Sequence, residues 1–226
     1  MPMSNQPTRR DILLGSIATT AFASGTHLFV HAAAPRANPI IEENQRPGTN
    51  QWQLTYIKFD AGNRLRQSLI EGYCTRTSVA AGETIGFCVS TNPPTPFHIA
   101  IYRLGYYGGS GGRLVATLGP FEGRSQEIPP RGDKRLRECQ WKPAVEITIP
   151  PDWLSGVYLA QLNAKNHRYQ SYCIFIVRDN RRADLLFQCS TNTWQAYNKW
   201  PAADSLYDND RPDRKPLVSG VRVSFD

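Results

Sequence analysis

The chain has 226 residues and a formal net charge of +7, with 26 Lys and Arg against 19 Asp and Glu. At 40% hydrophobic and 20% charged residues it carries enough apolar mass for a buried core, which excludes a wholly disordered chain. A single long weakly charged stretch, at the N-terminus, excludes a multi-span membrane protein. Five cysteines are too few for a disulfide-built scaffold.

In chain order, the first feature is an address. Thr8-Arg9-Arg10-Asp11-Ile12-Leu13-Leu14 leads into a mildly apolar run ending near Val30, and Ala32-Ala33-Ala34 supplies small residues at a cleavage spacing. An Arg pair, a weak apolar stretch and a small-residue exit describe a removable export signal over 1–34. The paired arginines resemble the twin-arginine signal, which implies folding before export and a periplasmic or secreted product. Gly15, Gly25 and His27 break the apolar run, so no stable membrane span is expected once the signal is removed. Residues 35–50 hold Pro35, Pro39, Pro47 and Gly48 without an apolar period and read as a linker.

Short strands follow. Residues 51–57 alternate, and 73–77, 84–90 and 98–104 are β-branched or aromatic runs set apart by turn signals at Ala81-Gly82, Pro93-Pro94 and Gly108-Gly109. Residues 113–116, 145–149, 157–162 and 169–177 complete the set. The pattern predicts a mainly β protein, an antiparallel Ig-like β-sandwich over 51–180. From Arg178 the pattern changes. Ala183-Asp184-Leu185-Leu186-Phe187-Gln188-Cys189 reads as the buried opening strand of an α/β domain. An aromatic loop with a short helix over 191–207, a charged turn over 208–215 and a strand-like stretch over 217–225 come next. Some 45 residues are marginal for an independent core, so 181–226 reads as the truncated N-terminal fragment of an α/β domain in a longer design.

The chemistry is sparse. Gly108-Gly109-Ser110-Gly111-Gly112 satisfies G-x-S-x-G, but a strand-like run follows it where a nucleophile elbow needs a helix. A hairpin loop is the better reading, and the catalytic residues stay unassigned. His98 and His167 lie far apart, and no His or Cys spacing matches a common zinc site. Cys74 and Cys88 flank a turn and could meet across a hairpin, while folding in a reducing compartment favours free thiols. The basic run Arg124, Arg131, Lys134, Arg135 and Arg137 is diluted by Glu122, Glu127, Asp133 and Glu138 and lacks interleaved aromatics. It reads as a solvated loop, and no nucleic-acid partner is expected.

The densest unusual cluster is Thr191-Asn192-Thr193-Trp194-Gln195-Ala196-Tyr197-Asn198-Lys199-Trp200, trailed by Ser205-Leu206-Tyr207. A phenol there has two roles open to it. As phenolate it is a hard ligand for ferric iron; as a neutral ring it packs an interface with its hydroxyl hydrogen-bonded. The residues alone favour packing. A different reading makes Tyr102, Tyr106 and Tyr107 a sugar-binding platform on a secreted module, against ordinary cross-strand packing.

Two stretches carry a resemblance. Ile101-Tyr102-Arg103-Leu104-Gly105-Tyr106-Tyr107-Gly108-Gly109, and Asn192 to Asn198 with Ser205-Leu206-Tyr207, resemble the large subunit of N,N-dimethylformamidase and its relatives; Val223-Ser224-Phe225-Asp226 fits the same pattern. The resemblance implies a β-sandwich followed by a Rossmann- or amidotransferase-like domain. It also implies a mononuclear iron held by two tyrosines and a glutamate, and hydrolysis of a small-molecule amide. By position Tyr197 matches the first metal ligand, with Trp194 and Asn198 as substrate-binding candidates. The second tyrosine and the glutamate would lie beyond Asp226, so this chain alone is expected to be incomplete and inactive. A homo-oligomer or a small partner subunit is compatible with this reading.

Overall fold

The computed structural model describes residues 38–133, 136–165, 168–201 and 205–206. The expected export signal, His167, Lys134, Arg135, Tyr207 and the stretch 208–226 lie outside the described residues. The protein is mainly β. Helix α1 (Pro39–Asn44) precedes β1 (Glu71–Cys74), β2 (Ser78–Ala80), β3 (Thr84–Ser90), β4 (Phe97–Leu104) and β5 (Gly112–Phe121). Strands β6 (Val145–Thr148), β7 (Gly156–Ala164) and β8 (Gln170–Arg178) follow, and then helix α2 (Thr191–Tyr197).

The strands form two sheets, of order β1-β3-β6 and β2-β8-β7-β4-β5. All pairings are antiparallel except β2 with β8, which makes the larger sheet mixed. One apolar core joins them. Ile85, Phe87 and Val89 from β3 meet Ile99 and Ile101 from β4, Tyr158, Ala160 and Leu162 from β7, and Cys173, Phe175 and Val177 from β8. The two-residue spacing within each set is the strand period placing one face inward. Phe87 and Phe175 close the layer edge to face, centroids 5.8 Å apart, and Tyr158 stacks on Phe175 at 5.4 Å. Each fully buried aromatic of this kind stabilises the fold by about 2–3 kcal/mol.

Three local readings of the sequence change. Residues 51–57 form no strand; their alternation is spent on loop contacts, with the Tyr172 hydroxyl donating to the Trp52 carbonyl and the Gln161 amide to Gln51 O. Pro39–Asn44 is helical although it lacks an apolar period. Pro39 opens the helix and Asn38 Oδ1 accepts from Ile40 N at 3.0 Å. Leu185, Leu186 and Phe187 are not a buried strand: they are 91%, 93% and 82% exposed and belong to no sheet. A strand needs a neighbour for its backbone N–H and C=O groups, and among the described residues none pairs with this run.

The cysteine geometry is also decided by register. Tyr73 pairs with Cys88, and Cys74 with Phe87. Opposed residues share a face and successive residues alternate, so Cys74 faces the core while Cys88 faces the other way. These two thiols cannot meet across the β1–β3 pair. Cys88 Sγ instead donates to Trp141 O at 3.2 Å.

Candidate functional site

Helix α2 presents the residues singled out in the sequence. Its buried residue is Ala196, whose carbonyl accepts from Leu206 N at 2.9 Å. Trp194 and Tyr197, three apart and so neighbours on one helical face, are 46% and 61% exposed. Asn198 caps the C-terminus in an extended conformation. Its Oδ1 accepts from Trp200 N at 3.0 Å and its Nδ2 donates to Gln195 Oε1 at 3.3 Å. The structure thus brings Trp194, Tyr197 and Asn198 together, with the amide of Asn198 already engaged in shaping the turn to Trp200.

That turn is what fixes α2 to the β body. Trp200 Nε1 donates to Glu71 Oε2 at 2.8 Å, and its ring stands edge-on to Trp141 with centroids 5.7 Å apart. Arg66 lies 5.7 Å from the centroid of the Trp200 ring and makes an ion pair with Glu71. Asn63 Nδ2 donates to Pro201 O at 2.7 Å. The Glu71 hydrogen bond raises the Arg66 pKa further and outweighs burial, which lowers it. A charged pair, a cation over an indole and an indole hydrogen bond therefore converge beneath the aromatic helix. Arg66 and Glu71 escape a sequence reading, because 129 positions separate Glu71 from Trp200.

A second polar centre lies where α1 meets β5 and the β4–β5 connection. The Glu43 carboxylate, 3% exposed, accepts from the Tyr107 hydroxyl at 2.8 Å and from Arg113 Nε at 2.7 Å. Burial alone would raise its pKa, but the hydrogen bonds from Tyr107 and Arg113 hold it below the ordinary carboxylate value. Arg103 Nη1 donates to the same Tyr107 hydroxyl at 2.9 Å. The network holds Tyr107 at φ 40°, in the left-handed region that bulky residues avoid. Beside it, α1 and the loop at Tyr106 bound an open recess of about 660 Å³ lined by Ile40, Ile41, Asn44, Pro47 and Tyr106.

This arrangement removes the tyrosine platform. Tyr102 and Tyr107 are buried and only Tyr106, 71% exposed, offers a face to solvent. Ser110 closes a glycine-rich turn that leads directly into β5 rather than a helix, and its carbonyl accepts from Trp52 Nε1 at 2.9 Å. His98 is exposed on β4. Among the described residues no group of three His, Cys, Asp or Glu could hold a metal ion. None of the described helices is long and apolar enough to cross a membrane.

A family model described as N,N-dimethylformamidase beta subunit-like, C-terminal, matches residues 98–226. The chain belongs to the N,N-dimethylformamidase beta subunit-like family. The matched region begins at His98 in β4, so the family pattern takes in β4 to β8 as well as the aromatic helix. No curated protein matches the sequence. Within this dimethylformamidase-like chain, Tyr197 is an exposed phenol at the end of α2.

Proposed function

We propose that this chain is part of an exported amide hydrolase, and that Tyr197 is its contribution to a mononuclear iron site. The observation that supports this is the pairing of family membership with an exposed Trp194–Tyr197 face on a helix anchored through Trp200 to Glu71 and Arg66. An anchored helix end is what a ligand needs, since a metal site tolerates little positional error. Bound iron would act as a Lewis acid on an amide carbonyl and would lower the pKa of a bound water. In that setting Trp194 supplies an apolar wall for a small amide, and Asn198 holds the turn that orients Tyr197. The finer fold assignments belong to the same proposal: an Ig-like sandwich for the two sheets, and an α/β domain beginning after β8. On this reading Tyr197 is one of three protein ligands, and a chain without the other two does not turn over substrate.

The test is metal analysis with a dimethylamine-release assay on N,N-dimethylformamide, using the 226-residue chain and any longer product of the same gene. The expected result is equimolar iron and amide hydrolysis in the longer product, both lost in Tyr197→Phe, with little iron on the shorter chain. Iron retained in folded Tyr197→Phe would sink the assignment of the ligand. A longer product with neither iron nor hydrolysis would sink the enzyme reading.

A further inference from the structure

The five cysteines are free thiols, and the sheet geometry sorts them unevenly. Cys74 projects from β1 into the core, and Cys173 projects from β8 into the same core from the opposing sheet. Between the two layers stands Gly72. A β-carbon there would lie 3.2 Å from Cys173 Sγ and 2.9 Å from Leu162 Cδ1. The missing side chain lets β1 approach β8 closely, one strand repeat from Cys74. The neighbouring Cys173 thiol and burial together hold the Cys74 thiol well above its ordinary pKa. The remaining three have other surroundings. Cys88 faces away and bonds Trp141 O. Cys139 is pushed up to about 11 by burial and by the nearby Glu71 charge. Cys189 sits in the stretch after β8, outside both sheets.

We infer that Cys74 and Cys173 are an oxidisable pair that closes to an inter-sheet disulfide when the reduced chain folds in the presence of a disulfide oxidant. The oxidant is a low-molecular-weight disulfide. One protein thiolate attacks it, forming a mixed disulfide and releasing one thiolate. The second protein thiol then loses its proton, attacks the protein sulfur and displaces the other thiolate. Two cysteine thiols are oxidised and one disulfide is reduced to two thiols. In the folded protein this exchange is slow, because Cys173 is buried and the raised pKa of Cys74 withholds its thiolate. The bond is made while β1 and β8 are coming together.

The experiment refolds the full reduced chain in a glutathione buffer poised to oxidise, then counts thiols under denaturing conditions and maps crosslinked peptides by mass spectrometry. The expected count falls by two, with Cys74 joined to Cys173. The crosslinked protein should melt about 10 °C above the reduced form, because the bond closes a loop of about a hundred residues. Cys74→Ser and Cys173→Ser should each abolish the crosslink, and Cys139→Ser should leave it in place. Full alkylation of both cysteines under denaturing conditions, after oxidative refolding of the wild type, would overturn the inference. So would a crosslink mapped to any other pair.

Discussion

Glu43 shows how much one side chain organises. It is a buried carboxylate from a six-residue helix, yet it gathers the Tyr107 hydroxyl and the Arg113 guanidinium, with Arg46 at its outer edge at 3.4 Å. Removing its charge leaves the half-buried Arg113 guanidinium without its anionic partner and weakens the hydrogen bond from the Tyr107 hydroxyl. Glu43→Gln is expected to destabilise the protein by about 2–3 kcal/mol at neutral pH, read from urea unfolding. The pH dependence follows from the direction of its shift. A carboxylate with a depressed folded pKa contributes stability above its unfolded value, near 4.5, and that stability is lost as pH falls through the lower folded value. The gap between wild type and Glu43→Gln should therefore be widest at neutral pH and narrow below about pH 4.5. An unchanged gap at pH 3 would assign the effect to packing. Nothing in the local sequence marks this residue, because its partners are brought to it by the β4–β5 hairpin.

At the scale of elements, the β4–β5 connection carries glycines for two different reasons. Gly108 has φ 64° with open space around its α-carbon, whereas Gly111 has φ 85° and its α-carbon faces the Trp52 indole, 3.0 Å from a built β-carbon. Gly108→Asn should cost only a few tenths of a kcal/mol, since Asn accepts the left-handed region. Gly111→Ala should cost about 2 kcal/mol, adding a clash with Trp52 to the backbone strain. Comparison of the two unfolding midpoints checks this; equal costs would mean the Trp52 ring yields freely. Elements of this kind were legible to different degrees. Strands β3, β4, β7 and β8 announce themselves through β-branched and aromatic runs between turn signals. Strand β2 is three residues long and is defined only by its parallel pairing with β8. Helix α1 rests on a cap and an ion pair, which hydrophobic periodicity does not see. Helix α2 was visible as an aromatic cluster, but its anchorage to Glu71 and Arg66 was not.

For the molecule as a whole, the exposed run Leu185-Leu186-Phe187 is the most unbalanced surface feature. Its composition equals that of a buried strand, which is why the sequence pointed to one; the structure leaves all three side chains in solvent. Contiguous apolar exposure of this kind promotes association. Changing all three to Ser should change the unfolding free energy read from urea titration by no more than about 0.5 kcal/mol while lowering dye binding and self-association in dilute buffer. A large loss of stability would show that the run is packed against another part of the chain.

The strand order has one further consequence. In the larger sheet β4 and β5 are near neighbours in sequence, as are β7 and β8, and each pair can zip locally. The central seam joins Phe97 to Ala164 and Arg103 to Tyr158, so two finished hairpins must find each other across the long segment that holds β6. Bringing distant strands together is paid for in lost chain entropy before any contact rewards it. With β2 on β8 and β3 on β6 also joined across long separations, assembly of this protein is a search among non-local seams, and its speed is set on the millisecond-to-second scale of non-local β folds. Synthesis from the N-terminus leaves β4 waiting for β7 with its inner edge uncovered, and the time spent waiting is the interval in which a chaperone would have the most to do.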